Sequence, residues 1–234
     1  MLLVDCGISC RELLRRAAMA QLDLHGLVGI LVTHSHDDHV CGLKTLHKCL
    51  PEAPVFANMM TTETVACKFG VDDGAFVSFE NGQPFDVGPF EVEPFSIPHD
   101  TSDPVGYVIR AEDTVYFHGT DIGTPLDSVG THLAEADVAT LESNHDPVML
   151  RRSGRPQHVI QRIAGPRGHL SNDQACELVR RFAAPRLKRL ALAHLSEQCN
   201  APHLAESAMK ETLASIGRCD VSLKVLGQHA CAEI

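Results

Sequence analysis

The feature that constrains this chain most is the run Thr-His-Ser-His-Asp-Asp-His at residues 33–39, which directly follows a short apolar segment. In an extended chain, residues two apart project to the same side, so His34 and His36 can reach one metal ion. Asp38 and His39 follow as the chain turns, and their different direction suits a second ion. Three imidazoles and a carboxylate suit Zn²⁺, Mn²⁺ or Fe²⁺ better than Ca²⁺ or Mg²⁺, which prefer oxygen ligands. The pattern therefore predicts a transition-metal site at the end of a strand.

A site for two metals needs more ligands, and polar residues just past other apolar strands supply candidates. His99, Asp121 and His194 each follow a predicted strand. The carboxyl ends of strands are where α/β proteins commonly assemble their sites. By residue type and position alone, each of the three is a candidate ligand, and a surface or capping role remains the alternative.

Short β-rich runs alternate with helix-like stretches along one chain, which indicates an α/β layer architecture. The predicted strands are Leu2–Asp5, Gly29–Thr33, Pro54–Phe56, Phe90–Ile97, Val105–Ile109, Thr114–Phe117, Val138–Leu141, Leu187–Ala193 and Val221–Val225. The predicted helices are Cys10–Met19, Thr62–Phe69, Asn172–Phe182 and His203–Ser215, and the turn-rich stretch Val71–Ile97 suggests an antiparallel meander. No linker interrupts the pattern, so we expect a single domain over residues 1–234.

Composition narrows the class of protein. No apolar run approaches the length needed to span a bilayer, and the first residues lack the features of a signal peptide. The nine cysteines are scattered without metal-finger spacing, so reduced thiols in a cytoplasmic protein are expected. We predict no membrane association.

The charge is distributed unevenly. A net charge of −10 argues against a surface that coats nucleic acid in general. Between Arg151 and Arg189, however, lie ten of the twenty basic residues, opposed only by Asp173 and Glu177. This stretch is either a pair of helices with solvated basic faces or a track that binds a polyanion.

The order of these motifs is similar to that of a known family. His-x-His-x-Asp-His, a lone His99, Thr120-Asp121-x-Gly123 and Ala193-His194-Leu195-Ser196 together resemble the metallo-β-lactamase superfamily. Within it the chain resembles the YycJ-type (WalJ-like) group, whose members are implicated as DNA exonucleases. The closer match is carried by the blocks Leu3–Ser9, Pro98–Asp100, Pro104–Tyr107, Leu141–Asp146, Arg167–Asn172 and Ala193–Ser196.

The resemblance implies a four-layer αββα sandwich and a set of metal ligands. His34, His36 and His99 would bind the first ion, Asp38, His39 and His194 the second, and Asp121 would bridge them. Zn²⁺ is expected first, with Mn²⁺ or Fe²⁺ as alternatives. Members of this group usually begin one strand earlier, so the resemblance also implies a shortened N-terminus.

Catalytic roles follow from the expected chemistry. Two metals would activate a bridging water as hydroxide, and Asp38 or Asp121 could accept a proton during attack. Asp38 is favoured, because Asp121 would already be shared by two ions. The leaving 3′-alkoxide needs a proton or a positively charged partner. His169 is the candidate for this role, because it lies between basic residues and changes charge near neutral pH. Asn144, His145, Arg167 and His169 are the candidates for binding substrate, and Asn144 and His145 could instead orient a metal ligand. A structural role in a loop is the alternative for Asn144, His145 and His169.

The predicted function is a metal-dependent phosphodiesterase, an exonuclease whose expected substrate is DNA, with RNA as the alternative. One alternative is a small-molecule hydrolase of the same superfamily, acting on a lactone, thioester, β-lactam or cyclic phosphodiester, since fold and metals do not fix the substrate. A third is a non-catalytic, metal-stabilised binding module. A basic open groove would favour the first, an enclosed apolar pocket the second, and a missing ligand the third.

Overall fold

The computed structural model describes residues 1–71, 73–228 and 231–234. The chain divides into two compact units: Met1–Ser96 with Thr101–Val105, and Ile97–Asp100 with Gly106–Ile234. Among the described residues, no helix is both long enough and apolar enough to cross a membrane.

The first unit contains a parallel sheet. Its strands are β1 (Leu2–Val4), β2 (Gly29–Leu31), β3 (Val55–Asn58) and β4 (Phe76–Phe79), and they lie side by side in that order. Every residue of β2 and β3 is buried, as expected for inner strands of a parallel sheet that is covered on both faces. Because β2 ends at Leu31, the 33–39 run begins at the carboxyl end of an inner strand.

Helices follow the strands of this unit, and their ends are set by local chemistry. They are α1 (Cys10–Met19), α2 (Asp37–Val40), α3 (Leu43–Cys49) and α4 (Met59–Phe69). The side chains of Ser9 and Asn58 accept hydrogen bonds from the backbone N–H groups of Glu12 and Thr61, which caps α1 and α4. Buried side chains of these helices and strands, among them Ile30 and Val55, form a hydrophobic cluster.

The prediction of an antiparallel meander over residues 71–97 is wrong in its first part. β5 (Phe85–Val87) and β6 (Phe90–Ser96) do form an antiparallel hairpin. β4, however, pairs in parallel with β3, in the register Val55↔Phe76. The reason is that β4 follows helix α4, and a strand that returns after a helical crossover lies parallel to its predecessor. Asp72, within the predicted range, lies outside the described residues.

The strands of the second unit bring several chain segments to one edge. β7 (Val105–Ala111), β8 (Thr114–Gly119), β9 (Val138–Glu142), β10 (Arg189–Ala193) and β11 (Ser222–Val225) lie in the order β11-β10-β9-β8-β7. The pair β7–β8 is antiparallel, whereas β8, β9, β10 and β11 are parallel to one another. The carboxyl ends of β8, β9 and β10 therefore lie at the same edge.

The helices of the second unit are α5 (Asp127–Leu133), α6 (Pro147–Arg152), α7 (Gln157–Ile163), α8 (Asn172–Phe182) and α9 (Pro202–Ser215). The predicted start of α8 is confirmed: Ser171 and Gln174 form a reciprocal capping box at its N-terminus. Large apolar side chains such as Tyr107, Phe117 and Leu141 are fully buried in this unit.

Candidate metal centre

In the first unit the histidines of the 33–39 run lie close to one another. His34 is fully buried, and its Nε2 lies 3.1 Å from Nδ1 of His36. Two ligands of one tetrahedral zinc ion, each bound at about 2.0–2.1 Å, are separated by about 3.3 Å. The spacing of these two nitrogens therefore fits a shared ion. The Nδ1 atom of His34 lies 3.0 Å from the Thr33 hydroxyl, so its coordinating atom would be Nε2.

Asp5 holds the same loop from the neighbouring strand. Its Oδ2 accepts a 2.7 Å hydrogen bond from Nδ1 of His39, and its Oδ1 accepts one of 2.8 Å from the backbone N–H of Thr33. Burial raises the pKa of Asp5, but the charge and hydrogen bond of His39, the charge of His34 and the Thr33 hydrogen bond outweigh it and lower that pKa. The carboxylate thus stays ionised and turns His39 so that Nε2 would coordinate, as acidic partners of metal-bound histidines commonly do. The sequence places Asp5 in the block Leu3–Ser9 that resembles the family, but this role of its carboxylate is not evident from the sequence.

Gly7, which belongs to the same block Leu3–Ser9, lies against the backbone of Asp38. A Cβ atom at Gly7 would lie 1.5 Å from the backbone oxygen of Asp38, so only glycine lets the two segments approach this closely. The backbone N–H of Cys6 also donates a 2.7 Å hydrogen bond to the oxygen of His39. Asp38 itself is exposed, with 68% of its side-chain surface accessible. The segment after β1 therefore supports the backbone from which Asp38 and His39 extend.

In the second unit the three predicted ligands lie near one another. Nε2 of His99 is 3.5 Å and Nε2 of His194 is 3.6 Å from Oδ1 of the buried Asp121. Asp121 and His194 both have positive φ, 60° and 58°, which is uncommon outside glycine and costs on the order of 1 kcal/mol. Such strain at the ends of two neighbouring segments is typical of functional positions.

The Nδ1 atoms of these histidines are occupied by protein acceptors. His99 Nδ1 donates to the backbone oxygen of Gly168 at 3.0 Å, and His194 Nδ1 donates to Oε1 of Glu142 at 3.0 Å. The coordinating atom of each would therefore be Nε2. Asn144, predicted to bind substrate, donates its amide to the backbone oxygen of His194 at 2.8 Å and so lies beside this ligand.

Glu142 is the residue that sequence reasoning missed in this unit. Its side chain is fully buried at the end of β9 and accepts hydrogen bonds from His169 Nδ1 at 2.8 Å and His194 Nδ1 at 3.0 Å. Its Oε2 also accepts hydrogen bonds from the backbone N–H groups of Ile122 and Leu170, at 2.8 and 3.0 Å. Burial raises the pKa of Glu142, but the two histidine hydrogen bonds outweigh it and lower that pKa. The signal available in the sequence was a carboxylate at the end of an apolar strand.

His169 shares this carboxylate. Potential ligand atoms of Asp121, Glu142, His169 and His194 all lie within 4.8 Å of one another. Burial lowers the pKa of His169, but the hydrogen bond and charge of Glu142 and the charge of Asp121 outweigh it and raise that pKa. With Nδ1 bound to Glu142, the Nε2 atom is the one that can contact a ligand.

The other two predicted substrate-binding residues differ in exposure. Arg167 is exposed in the loop that precedes His169. His145 is buried, and burial is the first cause of its lowered pKa; its Nδ1 has no hydrogen-bond partner within the described part of the chain. Substrate binding by Asn144, His145 and Arg167 stays a prediction.

The donors of both units suit the same class of ion. Imidazole nitrogens with engaged Nδ1 atoms, together with carboxylates, form the donor set that binds Zn²⁺, Mn²⁺ or Fe²⁺. The residues present therefore fit the metals that the sequence led us to expect.

A family model described as a beta-lactamase superfamily domain matches residues 1–194. The chain belongs to the metallo-β-lactamase superfamily. Its His and Asp clusters, together with this membership, fit the binding of two metal ions, and the protein is a metal-dependent hydrolase.

Two relatives match almost the whole chain. The chain is 32% identical over 218 residues to exodeoxyribonuclease YycJ of Bacillus anthracis, covering 92% of this chain and 82% of that protein. It is also 32% identical over 216 residues to exodeoxyribonuclease WalJ of Streptococcus pneumoniae, covering 91% and 80%. The predicted likeness to the YycJ-type group is thereby confirmed.

Solved structures show the same fold at lower identity. The metallo-β-lactamase fold protein YhfI of Bacillus subtilis has a TM-score of 0.67 and 17% identity, covering 96% of this chain and 83% of that one. Zn²⁺-bound PqqB of Methylobacterium extorquens has a TM-score of 0.68 and 18% identity, covering 95% and 80%. The predicted metallo-β-lactamase fold class is confirmed.

Proposed function

We propose that this superfamily member is a DNA exonuclease that hydrolyses phosphodiester bonds with two metal ions. The observation that carries the proposal is the 32% identity to exodeoxyribonuclease YycJ over 92% of the chain. The relative named WalJ, of equal identity and similar coverage, is also an exodeoxyribonuclease. Similarity over nearly all of both proteins favours a shared reaction more strongly than similarity of fold, which hosts many activities.

The proposed ligands are those that the superfamily pattern assigns. The first ion would be held by His34, His36 and His99, the second by Asp38, His39 and His194, with Asp121 shared by both. In support, the Nδ1 atoms of His39, His99 and His194 are bound by protein acceptors, which orients each ring for coordination through Nε2. We propose zinc as the metal, since imidazole-rich sites suit it and the structural neighbour PqqB carries Zn²⁺.

Such ions, when bound, polarise a phosphodiester and activate water for attack. The chain's own groups would then move the protons. The exposed carboxylate of Asp38 is proposed to accept a proton during attack. His169 is proposed to donate a proton from Nε2 to the leaving alkoxide, while Glu142 holds Nδ1 and stabilises the imidazolium form.

Substrate contacts are proposed for Asn144, His145, Arg167 and His169. Arg167 is exposed two residues before His169 and offers a guanidinium that can bind a phosphate through two parallel hydrogen bonds. We also propose a cytoplasmic location, which is supported by the nine cysteines, all of them free thiols.

Cleavage of end-labelled single- and double-stranded DNA, and of the matching RNAs, tests the proposal. We expect stepwise shortening of DNA from one end by the zinc-loaded protein, and loss of cleavage in Asp121→Asn. The control is Asp113→Asn, which makes the same chemical change at an exposed residue of the β7–β8 turn. Cleavage of RNA alone would contradict DNA as the substrate. Hydrolysis of a lactone, thioester, β-lactam or cyclic phosphodiester, with no nucleic acid cleaved, would replace the exonuclease by a small-molecule hydrolase.

A further inference from the structure

The basic stretch between Arg151 and Arg189 consists of two parts that differ in their contacts. In the later part, basic side chains bind the fold itself: Arg181 pairs with Asp127, Arg186 with Asp137, and Arg189 donates to the backbone oxygen of Ile234. These arginines already have partners. The second part of the stretch is therefore structural.

In the earlier part of the basic stretch, several of the described arginine side chains are not bound by other side chains of the fold. Arg151, Arg152 and Arg167 are exposed, and within the described residues their side chains make no hydrogen bond or ion pair. Arg155 donates to Gln198 and Arg162 pairs with Asp100, so two of the five arginines are oriented by neighbours. Residues 147–168 contain five arginines and no aspartate or glutamate, in a chain whose net charge is −10. We call residues 147–168 the arginine segment.

The arginine segment leaves and rejoins the fold beside the ligand cluster of the second unit. The backbone N–H of Asn144 donates to Leu170 at 2.9 Å, and that of Asn172 donates to His145 at 2.9 Å, so the two ends of the excursion are hydrogen-bonded to each other. Glu142 and His169 flank these ends. Both ends of the arginine segment therefore lie beside Glu142 and His169.

The returning loop is also fixed against the ligand segments. The Thr124 hydroxyl donates to the backbone oxygen of Pro166 at 2.9 Å, and His99 Nδ1 donates to that of Gly168. A Cβ atom at Gly123 would lie 2.6 Å from the Cα of Arg167, so the two loops are in close contact. The position of Arg167 relative to Asp121 is thus set by backbone packing.

The helix in the middle of the arginine segment, α7, is little stabilised by packing against the rest of the protein. α7 has no buried residue, and its apolar side chains Val159, Ile160 and Ile163 are only partly covered. Most helical stability in proteins comes from packing of an apolar face. α7 is thus an exposed helix in a segment with an excess of positive charge, and such a segment can serve as a surface for a negatively charged ligand.

We propose that the arginine segment binds the sugar–phosphate backbone of a single DNA strand and guides its end towards His169. This inference rests on the proposed exonuclease function and adds where the rest of the strand lies. Arg151 and Arg152 contact phosphates away from the scissile bond, and Arg167 contacts those nearest to it. The partly exposed Val159 and Ile160 contact sugars or bases. Binding is tolerant of sequence, because phosphate contacts carry no base information.

The test measures binding separately from cleavage. The probe is a fluorescein-labelled single-stranded DNA with phosphorothioate linkages, which keeps the backbone charge and resists hydrolysis, and the readout is fluorescence anisotropy of zinc-loaded protein. For Arg151→Ala/Arg152→Ala we expect about tenfold weaker binding. The slope of log affinity against log salt should become shallower by about 1.4, since each lost contact to a single strand contributes about 0.7. Arg11→Ala/Lys48→Ala removes the same charge from exposed positions of the first unit and should bind as the wild type does.

Each outcome bears on the inference. DNA cleavage by the wild type, with unchanged binding by Arg151→Ala/Arg152→Ala, would overturn the arginine segment as the binding surface and leave the exonuclease standing. Equal losses in both double variants would also overturn it, because net charge alone would then explain the binding. Failure of the wild type to cleave any nucleic acid would contradict the proposed function, whereas a binding loss confined to Arg151→Ala/Arg152→Ala would still support the surface.

Discussion

A single buried carboxylate, that of Glu142, connects two of the histidines on which the proposed chemistry depends. His194 is a proposed ligand and His169 a proposed proton donor, and both donate Nδ1–H to the same Oε1 atom. Two backbone N–H groups occupy the other oxygen. Because four donors converge on it, Glu142 fixes the orientation of both rings and acts as a positioning residue.

Replacing Glu142 by glutamine tests this role. Glutamine keeps the shape but loses the charge, and its amide group would face donors. We expect zinc affinity to fall by about ten- to a hundred-fold, the usual effect of losing an outer partner of a metal-bound histidine. Competition with a chromogenic chelator measures it, and Glu63→Gln, at an exposed position of α4, is the control. Unchanged zinc affinity would refute the positioning role.

Replacing His169 by glutamine separates proton donation from metal binding. We expect kcat on DNA to fall by about a hundredfold or more, with the zinc content retained. The loss should shrink on a DNA whose leaving oxygen is replaced by sulfur, because a thiolate leaves without a proton. His203→Gln, at an exposed position of α9, is the control. Loss of zinc from the variant would instead make His169 a ligand or a structural residue.

At the residue scale, the sequence predicts candidate metal ligands better than it predicts the residues that hydrogen-bond to them. The spacing of the 33–39 run identified four candidate ligands because neighbouring residues in a chain must lie close in space. Asp5 and Glu142 were not recognised, since their roles arise from hydrogen bonds to residues about 30 or more positions away. The φ values of Asp121 and His194 could not be read from residue type either, because tertiary contacts impose them.

At the scale of elements, Asp137 holds three strands together at the edge opposite the candidate metal centre. Its Oδ2 accepts a hydrogen bond from the backbone N–H of Val115 at the start of β8. Its backbone oxygen accepts hydrogen bonds from the N–H groups of Lys188 and Arg189 at the start of β10. The guanidinium of Arg186 also binds it, at 2.6 Å. The hydrogen bond from Arg186 outweighs burial and lowers the pKa of Asp137.

We expect Asp137→Asn to lower the free energy of unfolding by about 1 kcal/mol at neutral pH, from the loss of charge-assisted hydrogen bonds. Because the folded-state pKa is lowered, this stabilisation is present above the unfolded pKa of about 3.9 and is lost as pH falls through the folded-state pKa. The difference from wild type should therefore disappear in acid. Urea unfolding at several pH values measures it, with Asp113→Asn as the control. A difference that persists at low pH would contradict this account.

Elements were predicted where local signals are strong. Cys10–Met19 and Asn172–Phe182 have the predicted bounds, because a serine caps each helix and each has a marked amphipathic pattern. The sequence does not predict five helices of seven residues or fewer, because they span at most two turns and show little periodicity; they are α2, α3, α5, α6 and α7. The parallel pairing of β4 depends on a crossover, which turn residues alone do not reveal.

At the scale of the whole molecule, the expectation of one domain over residues 1–234 stays a prediction. If the chain is a single domain, the two compact units should unfold together in one cooperative transition. Differential scanning calorimetry should then show one transition whose calorimetric and van't Hoff enthalpies agree. Two separate transitions would contradict a single domain and would make each unit a separately stable body.

The central claim is that two bound metal ions hydrolyse DNA, and its most direct measurement is a metal titration of the stripped protein. Zinc would be added stepwise, with bound zinc measured by elemental analysis and cleavage of end-labelled single-stranded DNA measured at each step. We expect no cleavage without metal, saturation at about two ions per chain, and activity that rises with filling of both sites. Activity in the metal-free protein, or full occupancy by two ions with no cleavage of DNA, would contradict the account.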